Sequence, residues 1–561
     1  IKHLTELQRT LFTRLSVFAI PFEWDAAYTV LPDTEEGTVD DALDVLVQRA
    51  LVAFDGARYA YHALVRQYAH ERLQESGADP RVVHRRAAEY LGEKLADEKR
   101  GGTPEEALEE VDQWKRAEAW ATFARRAHAM RRSLDRRGYW GEIEARLEQA
   151  LAAVRAHLDK PELEATLLSD LGIIARKRGA WNWAIKIHHQ SLGISERMGD
   201  VHGQAQTLNN LGSVYMQKGQ WDRAIEIYQK SLDLCKRVGD MHALAQTWGN
   251  LGLVYADKGE WDQAIAMYRK SMENLEGLHD MHDIAQVWGN WGNVCLQKGE
   301  WDRAITMYQR SLQTFRWMGD LHGQAQTFGN LGNVYLRRGQ WDRAITMYQR
   351  SLDIFERMSD IEGQALTLSN LGELHLGKGE LDQALYMYQQ SLKINKRLGN
   401  MHGIAQTRMG LGVIYRHKGL LDQAIEMLQQ SLEISRNMGN MHDIALALGN
   451  LGSVIRQKGE WNQAIELYEE SLTITERMGD WVNSANQYGN LGNLYLQTNR
   501  PDEAKPLLAR AYLIFSQLGS PHQRTSANAL IQSFDGDVDA ANAYLAEAQR
   551  ELQEEMTSDD E

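Results

Sequence analysis

Seven asparagines recur at one phase of a 40-residue period: Asn210, Asn250, Asn290, Asn330, Asn370, Asn450 and Asn490, with Gly410 in the one gap. An asparagine side chain carries both a donor and an acceptor. A ladder of such groups could grip the backbone of an extended peptide, which offers the complementary pair at each residue. The competing use is internal, with each amide bonding the neighbouring unit and only holding a stack together. Asparagine is not a favoured helix-interior residue, so the ladder needs a reason of one kind or the other. The residues around it change along the chain. The middle units offer Asn293, Leu296, Asn333 and Leu336, and later ones add Arg337, Arg416, His417 and Arg456. An acidic segment would suit the arginines, unless they are scattered charges on a solvated face.

Other chemistry is harder to build from these residues. His202, His242, His282, His322, His402 and His442 also repeat. One per unit spaces them at roughly 10 Å, the distance between packed helices, whereas zinc needs ligands about 2 Å from a common point. They are expected to be helix-start residues. No Ser/His/Asp or Cys/His pairing rises above the repeat background. The nearest approach to a phosphate-binding loop, Gly372 to Gly379, lacks the hydroxyl that would hold magnesium. The chain is expected to be no enzyme and to carry no cofactor or metal. Cys235 and Cys295 lie in different units and read as core residues of a reduced, cytoplasmic protein.

The elements that must position the ladder are legible in one unit, Val201 to Asp240. Leu208, Leu211 and Tyr215 share a helix face, with Gly212 leaving room for a neighbouring helix. Lys218-Gly219 ends that helix and Trp221-Asp222 opens a second, whose stripe is Ala224, Ile225, Tyr228 and Leu232. Gly239 stops it, and Asp240 is placed to cap the next unit. Gln206, Asn209, Asn210, Ser213, Met216 and Gln217 are expected to face inward. Each unit is thus a helical hairpin that buries its apolar face only by stacking. Nine such units run in register from 161 to 520. The tryptophans Trp181, Trp221, Trp261, Trp301, Trp341 and Trp461 are expected to pack between hairpins.

The spacing of Leu211, Gly212, Tyr215, Gly219, Ala224, Tyr228 and Ser231 resembles the tetratricopeptide repeat family. The 40-residue unit is longer than that family's usual one and is similar to the repeats of kinesin light chains and LGN/Pins-type adaptors. The resemblance implies a mainly α solenoid, or superhelix, with a protein or peptide ligand in its concave groove, and the LGN-like likeness implies that the ladder grips it.

The front end, 1–80, breaks the period. Leu4 to Phe18, Glu23 to Leu31 and Thr38 to Ala50 read as helices, the last with a Thr38–Asp41 capping pair. Asp55-Gly56 joins two short strands, and His62 to Glu75 is helical again, a pattern expected of a winged helix. Leu15 to Phe18, Ala26-Ala27, Leu46-Val47 and Tyr61 to Ala69 resemble the winged-helix segment of bacterial STAND ATPases of the NB-ARC type. That resemblance implies an upstream nucleotide-binding domain holding ADP or ATP, with His62 reaching the nucleotide phosphate. Tyr61 and Ala63 depart from that family's Met-His-Asp motif.

Residues 81–160 read as a helical junction with a degenerate repeat. It carries a basic run, Arg125, Arg126, Arg131, Arg132, Arg136 and Arg137, suited to a solvated face, an acidic module or, less simply, nucleic acid. Residues 521–561 are expected to form a capping helix, opened by Ser520-Pro521, and a frayed acidic tail from Met556. The formal charge of −15 disfavours nucleic acid for the whole chain. No apolar run is long enough to span a bilayer. A chain that opens on Ile1 is expected to be a piece of a longer protein. Three functions follow: sensor region of a STAND signalling ATPase, plain scaffold, or winged-helix transcription regulator.

Overall fold

The computed structural model describes residues 3–96, 102–517 and 522–558. They fall into two compact units, Ile1–Asp135 with Tyr139–Ile174, and Arg136–Gly138 with Ala175–Glu561. No helix among the described residues is long and apolar enough to cross a membrane.

The first unit opens with α1 (Glu6–Leu15), α2 (Asp25–Val30) and α3 (Glu36–Gln48), then β1 (Ala53–Phe54), β2 (Tyr59–Ala60) and α4 (Ala63–Glu75). Thr5 and Gln8 form a reciprocal capping box that starts α1. The strands pair antiparallel around Gly56, whose φ of +99° suits glycine, while the Asp55 carboxylate accepts from the N–H groups of Ala57 and Arg58. Leu11, Phe12, Leu15, Val30, Leu46 and Leu73 make the core of this winged helix.

Two expectations need correction here. The third helix begins at Glu36, and the N–H of Thr38 already bonds the Glu35 carbonyl at 3.0 Å. Thr38 is therefore inside the helix and the Thr38–Asp41 cap does not form. The same core also continues past residue 80, because Val83, Ala87, Tyr90 and Leu91 of α5 (Pro80–Ala96) pack into it.

Helices α6 (Pro104–Arg116), α7 (Trp120–Leu134), α8 (Trp140–His157) and α9 (Pro161–Lys177) follow. Thr103 and Glu106 cap α6 with a second capping box. The buried Lys94 ammonium donates to Glu23 at 2.5 Å and Glu106 at 2.8 Å. In the basic run, Arg126 pairs with the buried Glu110 and Arg131 with the buried Asp170. Those two arginines hold helices together. The division between units falls at Ile174, within the helix that opens at Pro161, where the 40-residue phase begins.

In the second unit, α10 (Trp181–Met198) precedes eight consecutive hairpins among the described residues. These are α11 (Val201–Gln217) with α12 (Trp221–Val238), α13 (Met241–Asp257) with α14 (Trp261–Leu278), α15 (Met281–Gln297) with α16 (Trp301–Met318), and α17 (Leu321–Arg337) with α18 (Trp341–Arg357). Then come α19 (Ile361–Gly377) with α20 (Leu381–Leu398), α21 (Met401–His417) with α22 (Leu421–Met438), α23 (Met441–Gln457) with α24 (Trp461–Met478), and α25 (Trp481–Gln497) with α26 (Pro501–Gln517).

The reasons are those the sequence supplies. Asp240 accepts from the N–H of Ala243 and caps α13, and Asp200, Asp280, Asp320, Asp360, Asn400, Asn440 and Asp480 repeat the arrangement. Within a hairpin, Gly212 faces the ring of Tyr228, so close that an added Cβ would lie 2.7 Å from it. Ser271 donates to the Ala245 carbonyl at 2.8 Å, and Ser351, Ser391, Ser431 and Ser471 do the same in their hairpins.

The array also meets itself one superhelical turn later. The Arg178 carbonyl accepts from the N–H of Met401 at 3.2 Å, and Lys177 pairs with Glu362 at 2.9 Å. Trp181 packs on His402 and is buried with Ile404, Ala405 and Met438. Forty residues on, Gly219 lies beside His442 and Met478. This corrects the expectation for the tryptophans. Trp181 and Trp221 are buried because the later turn covers them, whereas Trp301 and Trp461 are 38% and 40% exposed.

The chain ends with α27 (Gln523–Ser533) and α28 (Val538–Ser558). Met556 is thus helical rather than frayed. Ser520-Pro521 and Asp559 to Glu561 lie outside the described residues.

Candidate binding groove

All seven ladder asparagines sit half-buried on the first helix of their hairpins. The side chains of Asn250, Asn290, Asn330, Asn370 and Asn450 make no hydrogen bond to any described residue. Asn490 donates to Gln487 at 3.4 Å, and Asn210 is engaged elsewhere. The stack is held by other side chains. Thr247 donates to Asn209 across adjacent hairpins at 3.0 Å. Ser213 and Ser453 each share a hydrogen bond with the tyrosine hydroxyl of their own hairpin, Tyr228 and Tyr468. Tyr308 donates to Asn293 and Tyr348 to Asn333. Asn293 and Asn333, expected to serve the groove, are therefore committed to the hairpin interior. Leu296 and Leu336 are half-buried against the packed clusters beside them.

The gap in the ladder has a steric cause. A Cβ on Gly410 would lie 2.5 Å from the Tyr388 ring, which also faces Gly372. An asparagine there would require the Tyr388 ring to shift, and in this hairpin the ring lies against the backbone where the amide is missing.

The three arginines divide into a pair and a single residue. Burial holds Arg416 below its ordinary value; Tyr468 opposes this, and the charge of Arg456 adds a lesser lowering. Arg416 also contacts His417, whose pKa is depressed by burial and by that guanidinium. Arg337 is exposed and joins neither. No carboxylate pairs with any of the three among the described residues. Arg416 and Arg456 thus offer two uncompensated positive charges on neighbouring hairpins, a setting that suits an acidic group.

The periodic histidines do stand at helix starts, but they do more than that. His202 meets Asp240 at 2.8 Å, His242 meets Asp280 at 3.2 Å, His282 meets Asp320 at 3.4 Å, His322 meets Asp360 at 3.0 Å and His442 meets Asp480 at 3.2 Å. Each partner is the capping carboxylate of the next hairpin. His402 reaches Asp443 instead, since Asn440 replaces the aspartate there. This second ladder went unread because its partners are 38 residues apart. Atoms of His242, Asp280 and Asp283 come within 4.8 Å of one another, but Asp280 caps its helix and Gln246 donates to Asp283.

One His–Asp pair lies at the contact between turns. Desolvation would lower His442, yet its bond to Asp480 and the charges of Asp480, Asp443 and Asp257 raise it overall. Asp257 is pushed up to about 6 by desolvation, with Asp480 adding to the rise and His442 opposing it.

His62 stands at the N-cap of α4 with extended backbone. Its side chain is exposed and engages no described residue.

Comparison with known proteins gives two family models. Tetratricopeptide repeat models match 203–277, 283–357, 363–437 and 443–517, and a winged helix-turn-helix domain matches 4–74. No curated protein sequence matches the chain. Among solved structures, it is similar to a Signal Transduction ATPase with Numerous Domains protein with a tetratricopeptide repeat sensor from Pyrococcus horikoshii. That likeness has 16% identity and a TM-score of 0.41, over 85% of this chain and 64% of that one. A Rap protein complexed with Competence and Sporulation Factor is 14% identical, with a TM-score of 0.37 over 62% and 99% of the two chains. BtubC from P. vanneervenii is 20% identical, with a TM-score of 0.34 over 40% and 93%. Stacked hairpins of this kind engage protein partners. With its repeat models covering more than half of its length, the chain belongs to the tetratricopeptide repeat family and carries a winged helix-turn-helix domain ahead of the array.

Proposed function

We propose that this chain is the sensor region of a STAND-type signalling ATPase, whose array captures a polypeptide trigger in extended form. The observation that carries the capture is the set of five half-buried ladder amides with donor and acceptor unspent. The stack is already held by other groups, so the ladder is free to bond a guest backbone. An acidic stretch of the guest would lie by Arg416 and Arg456. Each amide–backbone hydrogen bond contributes about 1 kcal/mol net, and several in series give useful affinity together with register. Peptides selected by display on the full chain should lose about 10-fold to 100-fold in affinity on Asn290→Ala with Asn330→Ala, which removes two to four such bonds. Equal affinity in a variant of unchanged helicity would end this reading.

The signalling half rests on the resemblance around His62 and on the order of the modules, winged helix before array. A trigger must bind one state of the switch better than the other to shift it at all. In the chain joined to its native upstream region, His62→Ala should speed ADP release about 10-fold, the scale of a lost hydrogen bond to a charged phosphate. Unchanged release would leave a plain scaffold.

A further inference from the structure

A slot on another face of the array lacks the residue that fills it in sister hairpins. In four of the eight hairpins Trp248, Trp288, Phe328 and Tyr488 occupy one position of the first helix, and in the other four it holds Leu208, Leu368, Arg408 and, in α23, Leu448. Each of the four rings lies beneath cations. Lys270 is 4.4 Å above the Trp248 ring with Lys236 at 5.8 Å, and Arg310 is 4.8 Å above Trp288. Arg316 and Arg350 both lie 5.7 Å from Phe328, and Arg510 lies 5.4 Å from Tyr488.

The walls around those rings are also repeated. Trp248 packs with Leu232, Leu251 and Met267, and Phe328 with Leu312, Leu331 and Met347. Their counterparts at Leu448 are Leu432, Leu451 and Leu467, and there they line a cavity of about 410 Å³. That volume falls within the range of ligand pockets, about 300–1,000 Å³. Arg436, the counterpart of Lys236 and Arg316, stands on the rim with no ring beneath it. Glu470 stands where the sister hairpins carry Lys270, Arg310, Arg350 and Arg510, and it accepts from Arg436 at 2.9 Å.

We propose that this cavity is a docking slot for an aromatic side chain of a partner polypeptide, held as the chain holds its own rings: apolar walls around the ring and the Arg436 guanidinium against its face. The occupant is specified by the protein itself, because two hairpins, those of Trp248 and Phe328, show what matching walls and a cation at the Arg436 position receive. The slot is separate from the asparagine ladder. Asn450 is two residues from Leu448 and so projects from the other side of the helix. Binding here therefore stands or falls independently of a guest in the groove.

The test uses the full chain and N-acetyl-tryptophanamide, followed by ligand-observed NMR. Saturable binding is expected, and Leu448→Trp should abolish it while raising the melting temperature, since the new ring fills the slot. Arg436→Ala keeps the walls intact and should weaken binding several-fold. Glu470→Arg restores the second cation found at Phe328 and should strengthen binding several-fold. The proposal is overturned if the wild-type chain does not bind, or if Leu448→Trp and Arg436→Ala bind as the wild type does. Tighter binding of free zwitterionic tryptophan than of the capped residue would overturn the polypeptide source. Trp317 is 77% exposed. Concentration-dependent self-association lost in Trp317→Ser and in Leu448→Trp alike would make the occupant a second copy instead, overturning the assignment to a partner.

Discussion

Gly252→Ala lowers the stability of the array by about 1–3 kcal/mol, the usual cost of forcing a methyl group into a filled core. Gly252→Ala would place its Cβ 2.4 Å from the Tyr268 ring. That ring is fully buried and has nowhere to go. Three residues earlier on the same helix, Gly249 has only the Ser271 hydroxyl near it, at 3.7 Å. Gly249→Ala therefore gains the helix propensity of alanine, about 0.5–1 kcal/mol, without a clash. The two substitutions should move the urea midpoint in opposite directions. A fall for both, or a rise for both, would show that the hairpin contact is not set by this glycine. The same close approach recurs at Gly212, Gly292, Gly332, Gly372 and Gly452, so the effect is a property of the repeat.

His188→Phe makes the protein resistant to acid. His188 occupies the place that Tyr228, Tyr268, Tyr308 and Tyr348 hold in later hairpins. It is fully buried, and neither ring nitrogen finds a hydrogen-bond partner among the described residues. Desolvation, with smaller effects of Arg176 and His189, pulls its pKa down to about 3. The sign follows directly. The unfolded chain takes up a proton near the ordinary value, pH 6.5, and the folded chain does not until about pH 3. Stability is thus lost as pH falls through that window, by about 1.4 kcal/mol per unit. Phenylalanine removes this slope and also removes two unpaired buried nitrogens, which cost about 1 kcal/mol or more at any pH. Urea melts of both proteins between pH 7 and pH 4 should give curves that diverge by about 3 kcal/mol. Parallel curves would mean that the imidazole finds a partner after all. The Asp480 carboxylate is also held below its ordinary value. Burial, the largest single effect, opposes this, and the bonds from His442 and Asn483 with the His442 charge together outweigh it. It adds acid sensitivity to both proteins equally, so the difference between them isolates His188.

The repeat was legible because its signals are local. Gly239-Asp240 ends one helix and caps the next within two residues, and Gly212 announces a neighbour at Tyr228 only a hairpin turn away. The ladder position was legible for the same reason, since a fixed period puts equal residues on equal faces. What could not be read depends on sums over many residues. The meeting of Arg178 with Met401 follows from the small rotation each hairpin adds, and no single residue encodes it. The burial of Trp181 and the exposure of Trp461 follow from that meeting, although the two residues look alike in sequence. The commitment of Asn293 and Asn333 to tyrosine hydroxyls turns on one helical position, which pattern alone placed in the groove. The aromatic slot was hidden because Leu448 is an ordinary core residue until its sister positions are compared in space.

The self-contact of the array behaves like a screw thread. Deleting one whole unit between Arg178 and Met401 would bring Met441-His442 to the place of Met401-His402. Gly439, Ile444 and Ala445 would stand where Gly399, Ile404 and Ala405 stood. Only the Lys177 pairing would be lost, because His402 stands one unit beyond Glu362. The thread therefore re-engages after the loss of one whole hairpin and strips after a loss that is not a whole number of them. Trp301 to Leu312 and Trp341 to Leu352 are identical, as a gain of one whole hairpin would leave them, and exchange by whole hairpins is the only kind that leaves the remaining turns in phase.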